Sequence, residues 1–300
     1  MVLTDPPPAP PPSFPDALQR FLARPQFAER TRQSYAQDLA PLLATLHDQP
    51  VTALTRERTT GFLAALQPLA ASTFNRRLAA LRSFVRWCGQ RGWLTDAPVH
   101  GLERRPQPRA KPRALDPSQV EAVLRAIHDA RDRALFWLIY DGRLRCAEAL
   151  AIDVEDLNWA ERAIRIHGKG NRERELFFSR RVGRYLDAYL KARGEPAWGP
   201  LFITSRKARC PRRADLTAEG YARLSYRQAD TRWKRLTPDW DVHQLRHTAI
   251  TVRAAHGYTE VELQRFSGHQ SLRSLEGYIA ANREAAKRKA REWERRSGAE

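Results

Sequence analysis

A chain of 300 residues with 42% hydrophobic residues is long enough for about two domains and too apolar to be disordered. Its formal charge of +18 selects a polyanionic partner, double-stranded nucleic acid ahead of an anionic membrane surface, unless the excess only reflects an arginine-rich composition. No apolar run of membrane-spanning length occurs, and the widely spaced cysteines Cys88, Cys146 and Cys210 make neither a zinc pair nor a disulfide framework, which fits a reducing cytoplasm.

Residues 1–13 are proline-rich and predict a disordered leader, and the first fifteen residues lack the basic start and apolar core of a secretory signal. Residues 14–103 predict a helical domain. Phe14-Pro15-Asp16 reads as a capped helix start. Thr31 to His47 repeats Tyr35, Leu39, Leu42, Leu43 and Leu46 at helical spacing, and Thr55 to Leu66 places Phe62, Leu63 and Leu66 likewise. Ser72 to Gly89 carries a core stripe of Phe74, Leu78, Leu81, Phe84, Val85 and Cys88, with Arg76, Arg77 and Arg82 off it. Those arginines are either a solvated face or a phosphate-facing one, and the net charge favours phosphate. Residues 104–114, with Arg105, Arg109 and Lys111 among prolines, predict a basic linker that crosses a DNA backbone or serves as a plain spacer.

Residues 115–300 predict a second domain, opened by the cap Asp116 with Pro117 in the first turn. Val120 to Ile127, Arg133 to Tyr140 and Arg145 to Ile152 are predicted helices. Arg162 to His167 and Arg172 to Phe178 alternate, with Gly168-Lys169-Gly170-Asn171 between them, which predicts a hairpin with a lysine at its tip. From Arg180 onward the expectation is mostly helix, ending in a charged tail helix.

Four features of this second domain can carry chemistry. Arg145 offers a planar fork suited to phosphate oxygens, and Glu148 lies one turn later to hold it; an ordinary helix ion pair is the plain alternative. Lys169 sits between glycines that let backbone approach a ligand, or is a solvated turn lysine. In His243-Gln244-Leu245-Arg246-His247, His243 and Arg246 share a helix face where one moves a proton and the other clamps a phosphate. No acidic residue lies between His243 and His247, so the zinc motif is absent. Ser267-Gly268-His269 is followed nine residues later by Tyr278, a hydroxyl able to attack a phosphodiester, with Tyr221 and Tyr258 as competing tyrosines.

The order of these markers, with Thr31-Arg32-Gln33-Ser34-Tyr35 and Asn75-Arg76-Arg77-Leu78 in the first domain, resembles the tyrosine recombinase (phage integrase) family, including its bacterial Xer-type members. The resemblance implies a mainly α protein with a small β-sheet (α+β). It would have a SAM-like helical core-binding domain and a tyrosine-recombinase catalytic domain gripping opposite DNA faces. It implies Tyr278 as nucleophile, Arg145 and Arg246 as the phosphate clamp, and Lys169 as proton donor to the leaving 5′-hydroxyl. His243 would share the tyrosine proton and His269 would bond the phosphate, while Glu148 supports the clamp. Arg76, Arg77, Arg82, Arg105, Arg109, Lys111 and Arg172 are the expected DNA contacts. The resemblance further implies no metal or other cofactor, a homotetramer on paired DNA sites, no membrane, and a cytoplasmic, nucleoid-associated location. A silent DNA-binding protein of the same fold and a type IB topoisomerase-like enzyme are the alternatives. The chain departs from the family pattern at Asp141-Gly142-Arg143-Leu144-Arg145, where an additional arginine makes Arg143 a rival to Arg145. Ser267 and Gly277 are also unusual beside Gly-His and the tyrosine.

Overall fold

A computed structural model describes residues 10–95, 98–107, 114–168, 172–208 and 216–268, together with Lys287, Arg291 and Arg295. The chain divides into two compact units, residues 1–109 and 110–300, each with its own apolar core.

The first unit holds α1 (Phe14–Leu22), α2 (Glu29–Leu46), α3 (Arg56–Ala65) and α4 (Ala71–Gly89). The Ser13 hydroxyl accepts from the Asp16 N–H at 3.3 Å and Pro15 occupies the first turn, which starts α1 where the sequence places it. Phe21 is fully buried amid Phe27, Tyr35, Phe84 and Trp87, with ring centroids 5.1, 5.4, 5.5 and 5.6 Å away. Three of these contacts are edge-to-face and the Phe21–Tyr35 pair is tilted, and together they join α1, α2 and α4 through one aromatic cluster. Pro12 and Ser13, at the end of the expected leader, are tied down: the Pro12 carbonyl accepts from Val51 N–H at 2.9 Å, and Ser13 bridges Pro50. The start of the expected linker is also fixed, because the Asn75 side chain exchanges two hydrogen bonds with the Arg105 backbone, at 2.8 and 2.9 Å.

The second unit runs α5 (Pro117–Ala126), α6 (Ala130–Gly142), α7 (Cys146–Ala151), β1 (Leu157–Asn158), β2 (Ala163–Gly168), β3 (Arg172–Phe177) and α8 (Arg180–Ala192). It continues with β4 (Ile203–Lys207), β5 (Tyr221–Arg223), α9 (Tyr226–Leu236), α10 (Val242–Ala255) and α11 (Glu260–Ser267). Every residue from Ala134 to Tyr140 is buried, so α6 is the central helix, apolar around its whole circumference. Strands β1, β2 and β3 form an antiparallel sheet in that order, with Ala163 opposite Phe177 and Gly168 opposite Arg172. Residues 169–171, which join β2 to β3, lie outside the described residues.

The stretch after Arg180 is mostly helical, as expected, but it also holds β4 and β5, an antiparallel pair with an irregular register that the sequence pattern did not single out. Only Ile203 of β4 is buried, and β5 is three half-buried residues long, so neither strand carries an apolar alternation. What anchors them is polar. Buried Arg131 of α6 donates to the Ile203 carbonyl at 2.9 Å and to Ser205 Oγ at 3.0 Å, and pairs with Asp132 at 3.0 Å. Of the tail, Lys287, Arg291 and Arg295 are helical and exposed.

Candidate active site

The site is assembled at chain reversals around α6, α7 and α11. Helix α6 ends at Gly142, where a Cβ would come 2.8 Å from Leu176 Cδ2. The additional residue Arg143 is absorbed as a left-handed cap at φ 53°, ψ 29°. Its guanidinium turns away and lies 5.2 Å over the Phe266 ring. Burial, helped by the nearby charge of Arg253, pulls its pKa down to about 10.

Arg145 is the residue at which α7 begins, so it caps the helix where the sequence expectation put it inside one. Glu148 reaches back from the first turn. Its Oε2 accepts from the Arg145 backbone N–H at 2.9 Å and its Oε1 from Arg145 Nη1 at 2.7 Å. Arg145 Nη1 also donates to the Gly268 carbonyl at 3.4 Å.

Helix α10 delivers the second arginine. Asp241 caps it by accepting from the His243 N–H at 2.8 Å. One turn on, Arg246 is 2% exposed and donates to the carbonyls of Arg143 and Ser267, both at 2.7 Å. Its Nη1 stands 3.6 Å from Glu148 Oε2. The left-handed turn at Arg143 thus aims a carbonyl at Arg246. Burial and the charges of Arg246 and Arg145 lower the His243 pKa. The His247 ring packs edge-on against it with centroids 4.7 Å apart, and burial with its neighbours His243 and Arg246 lowers His247 to about 4. Both imidazoles are neutral at neutral pH.

A third arginine joins them. Arg174 of β3 donates from Nη2 to Glu148 Oε2 at 3.0 Å. Burial pushes the Glu148 carboxyl up, but hydrogen bonds from Arg174 and Arg145 outweigh it and leave the pKa below its ordinary value. Arg145, Arg174 and Arg246 therefore converge on one carboxylate, and the two positive charges in excess suit the centre to an anion.

Helix α11 ends at buried Ser267 and left-handed Gly268, φ 65°, whose carbonyls are the ones held by Arg246 and Arg145. The chain then enters His269. His269, Tyr278 and Lys169 lie outside the described residues, as do Arg109, Lys111 and the side chain of Arg172.

Of the expected site, the structure brings together Arg145, Glu148, His243 and Arg246, and sets Arg143 apart against Phe266. The remaining expected DNA contacts are engaged inside the first unit. Arg76 and Arg77 face buried Asp38 at 2.5 and 3.9 Å. Burial raises the Asp38 pKa against the pull of both arginines. Arg82 donates to the Leu102 carbonyl, and Arg105 donates to the carbonyls of Gln67 and Leu69 at 3.2 and 2.9 Å and covers the Phe74 ring at 3.9 Å. Arg174 escaped the sequence expectation. Its signal was an arginine sharing strand parity with buried Leu176, on the face where an apolar residue is ordinary.

Comparison with known proteins gives this geometry a family. Residues 113–285 match the phage integrase family model, and residues 17–92 match the phage integrase N-terminal SAM-like domain. The chain is 30% identical over 219 residues to tyrosine recombinase XerC of Vibrio cholerae serotype O1, covering 71% of this chain and 68% of that one. It is 29% identical over 227 residues to tyrosine recombinase XerC of Lactobacillus delbrueckii subsp. bulgaricus, covering 72% and 74%. The fold is similar to that of the Tn1549 transposon integrase solved with circular intermediate DNA, at TM-score 0.64 and 17% identity over 89% of this chain and 95% of that one. The chain belongs to the phage integrase family of tyrosine recombinases, enzymes that cleave and rejoin DNA.

Proposed function

We propose that the chain recombines DNA at specific sites through a 3′-phosphotyrosyl intermediate on Tyr278. The observation that carries the proposal is the convergence of Arg145 and Arg246 on Glu148, beside neutral His243 and at the turn that leads into His269. Two fixed guanidiniums offset the charge that builds on the non-bridging phosphate oxygens. The Tyr278 hydroxyl attacks the scissile phosphorus while His243 accepts or shares its proton. The bond to the 5′-oxygen breaks, and Lys169 supplies that oxygen with a proton. His269 hydrogen-bonds the phosphate. The phosphotyrosine ester keeps the bond energy, so the 5′-hydroxyl of another strand reverses the step on a new partner. Clamping and charge compensation supply what this transfer needs, with neither metal nor nucleotide.

Double-stranded DNA is the partner, supported by the net charge and by the DNA in the complex of the structurally similar transposon integrase. Arg76, Arg77, Arg109, Lys111 and Arg172 are the backbone contacts in this proposal. Arg82 and Arg105 would reach a phosphate only with donors left over from their carbonyl bonds. Four copies assemble on paired sites, in the cytoplasm and on the nucleoid.

The test is a nicked suicide duplex, selected from a randomised library by retention on the full chain. The wild type is expected to form a denaturant-resistant covalent adduct, and Tyr278→Phe to form none. Absence of the wild-type adduct overturns the proposal in favour of a silent DNA-binding protein.

A further inference from the structure

Arg174 takes no part in the reaction set out above, yet it sits at the junction of everything that aims the clamp. It lies opposite Ile166 in the β2–β3 ladder, on the strand that leaves residues 169–171. One edge of its guanidinium holds Glu148 Oε2 at 3.0 Å. That oxygen also accepts from the Arg145 N–H at 2.9 Å and faces Arg246 Nη1 at 3.6 Å. The guanidinium also lies against the Gly268 turn, where a Cβ would stand 2.8 Å from Nη1 and 2.9 Å from Cζ. Gly268 is therefore required both by its left-handed backbone and by the arginine packed on it. Its carbonyl, in turn, accepts from Arg145.

From this geometry, resting on the recombinase reading, we infer that Arg174 is a positioning residue for the phosphate clamp. Wedged between Glu148 and the Gly268 turn, it fixes the carboxylate that orients Arg145 and Arg246 and the backbone that leads to His269. An ordinary stabilising ion pair does not account for it. Its side chain is only 20% exposed and its Nε is buried without a hydrogen-bond partner among the described residues, an arrangement that stability alone disfavours. Without Arg174, Glu148 keeps its two bonds to Arg145 but loses a charged donor at Oε2, the oxygen that faces Arg246, and the Gly268 turn gains room. Arg145 and Arg246 then meet the phosphate out of register.

The experiment uses the full chain in single-turnover cleavage of the selected suicide duplex. A second duplex carries a neutral methylphosphonate at the scissile position, where less charge needs compensation. Arg174→Ala is expected to slow cleavage of the phosphodiester about 100-fold, the scale of a misplacement of ångström size. It is expected to slow the methylphosphonate less than about 10-fold, the same pattern as Arg145→Ala. Arg174→Lys keeps the charge but not the fork, and falls between wild type and alanine. Gly268→Ala slows cleavage too, and less than additively with Arg174→Ala, because the new methyl no longer meets a guanidinium. A phosphodiester rate unchanged by Arg174→Ala, or equal losses on both duplexes, overturns the inference while leaving the recombinase reading intact. If Arg174→Ala fails to fold, Arg174→Lys carries the same comparison. A wild type that makes no adduct removes the reading and the inference together.

Discussion

Replacing Glu148 by glutamine keeps the side chain's shape and removes the charge that three arginines share. The carboxylate is 10% exposed and accepts at 2.7 Å from Arg145 Nη1, at 2.9 Å from the Arg145 N–H and at 3.0 Å from Arg174 Nη2. Glutamine presents one oxygen and one NH₂, so one of these positions becomes a donor facing donors. Hydrogen bonds to charged groups contribute roughly 1.5–3 kcal/mol each, and removing one partner of a buried pair costs about 3–5 kcal/mol. Arg246 retains its two carbonyl bonds and Arg145 is 40% exposed, which sets the expected loss at the lower end, about 3 kcal/mol. For a unit of this size that lowers the melting temperature by roughly 6–12 °C. Urea and thermal melts followed by the fluorescence of buried Trp137 and Trp233 measure it. The pH dependence carries the sign. A carboxyl held below its usual 4.5 contributes fully above that pH and loses its contribution as pH falls through the lower folded value. The gap between wild type and Glu148→Gln therefore closes in acid. A loss under about 1 kcal/mol, the range of a surface pair, or a gap that does not depend on pH, would refute the buried-hub account.

His247 gives a second pH limb. Its pKa, lowered from 6.5 to about 4, means the unfolded chain binds a proton that the fold resists, so stability declines as pH falls from 6.5 through 4. His247→Gln is expected to remove part of that decline in melts taken across the window. In the first unit, Phe21→Ala opens a cavity amid Phe27, Tyr35, Phe84 and Trp87 and should cost about 3–5 kcal/mol in urea unfolding, with the Trp87 signal reporting the loss.

The helices were legible because their apolar stripes are long. Phe74, Leu78, Leu81, Phe84, Val85 and Cys88 recur at helical spacing and are all buried on α4. The second sheet was not, because Ile203 is the one buried residue of β4 and the strand is held by Arg131, whose partners are distant in sequence. The pairing of Arg145 with Glu148 followed from their spacing, but its form did not. A helix interior and a helix cap share that spacing, and the left-handed turn at Arg143 decides between them. The same turn separates Arg143 from Arg145, which composition leaves as rivals. Arg174 was hidden because only the register with β2 gives the parity of a strand its meaning. The carbonyls of Ser267 and Gly268 carry no side-chain signature at all.

In the proposed reaction Tyr278 forms the covalent bond to DNA. Cleavage of the selected suicide duplex by the full chain, followed by proteolysis and mass mapping of the nucleotide-bearing peptide, tests it most directly. A 3′-phosphate ester on Tyr278 is expected from the wild type, and no adduct from Tyr278→Phe. A wild-type chain that forms no adduct, or an adduct that persists in Tyr278→Phe or maps to Tyr258 or Tyr221, would contradict it.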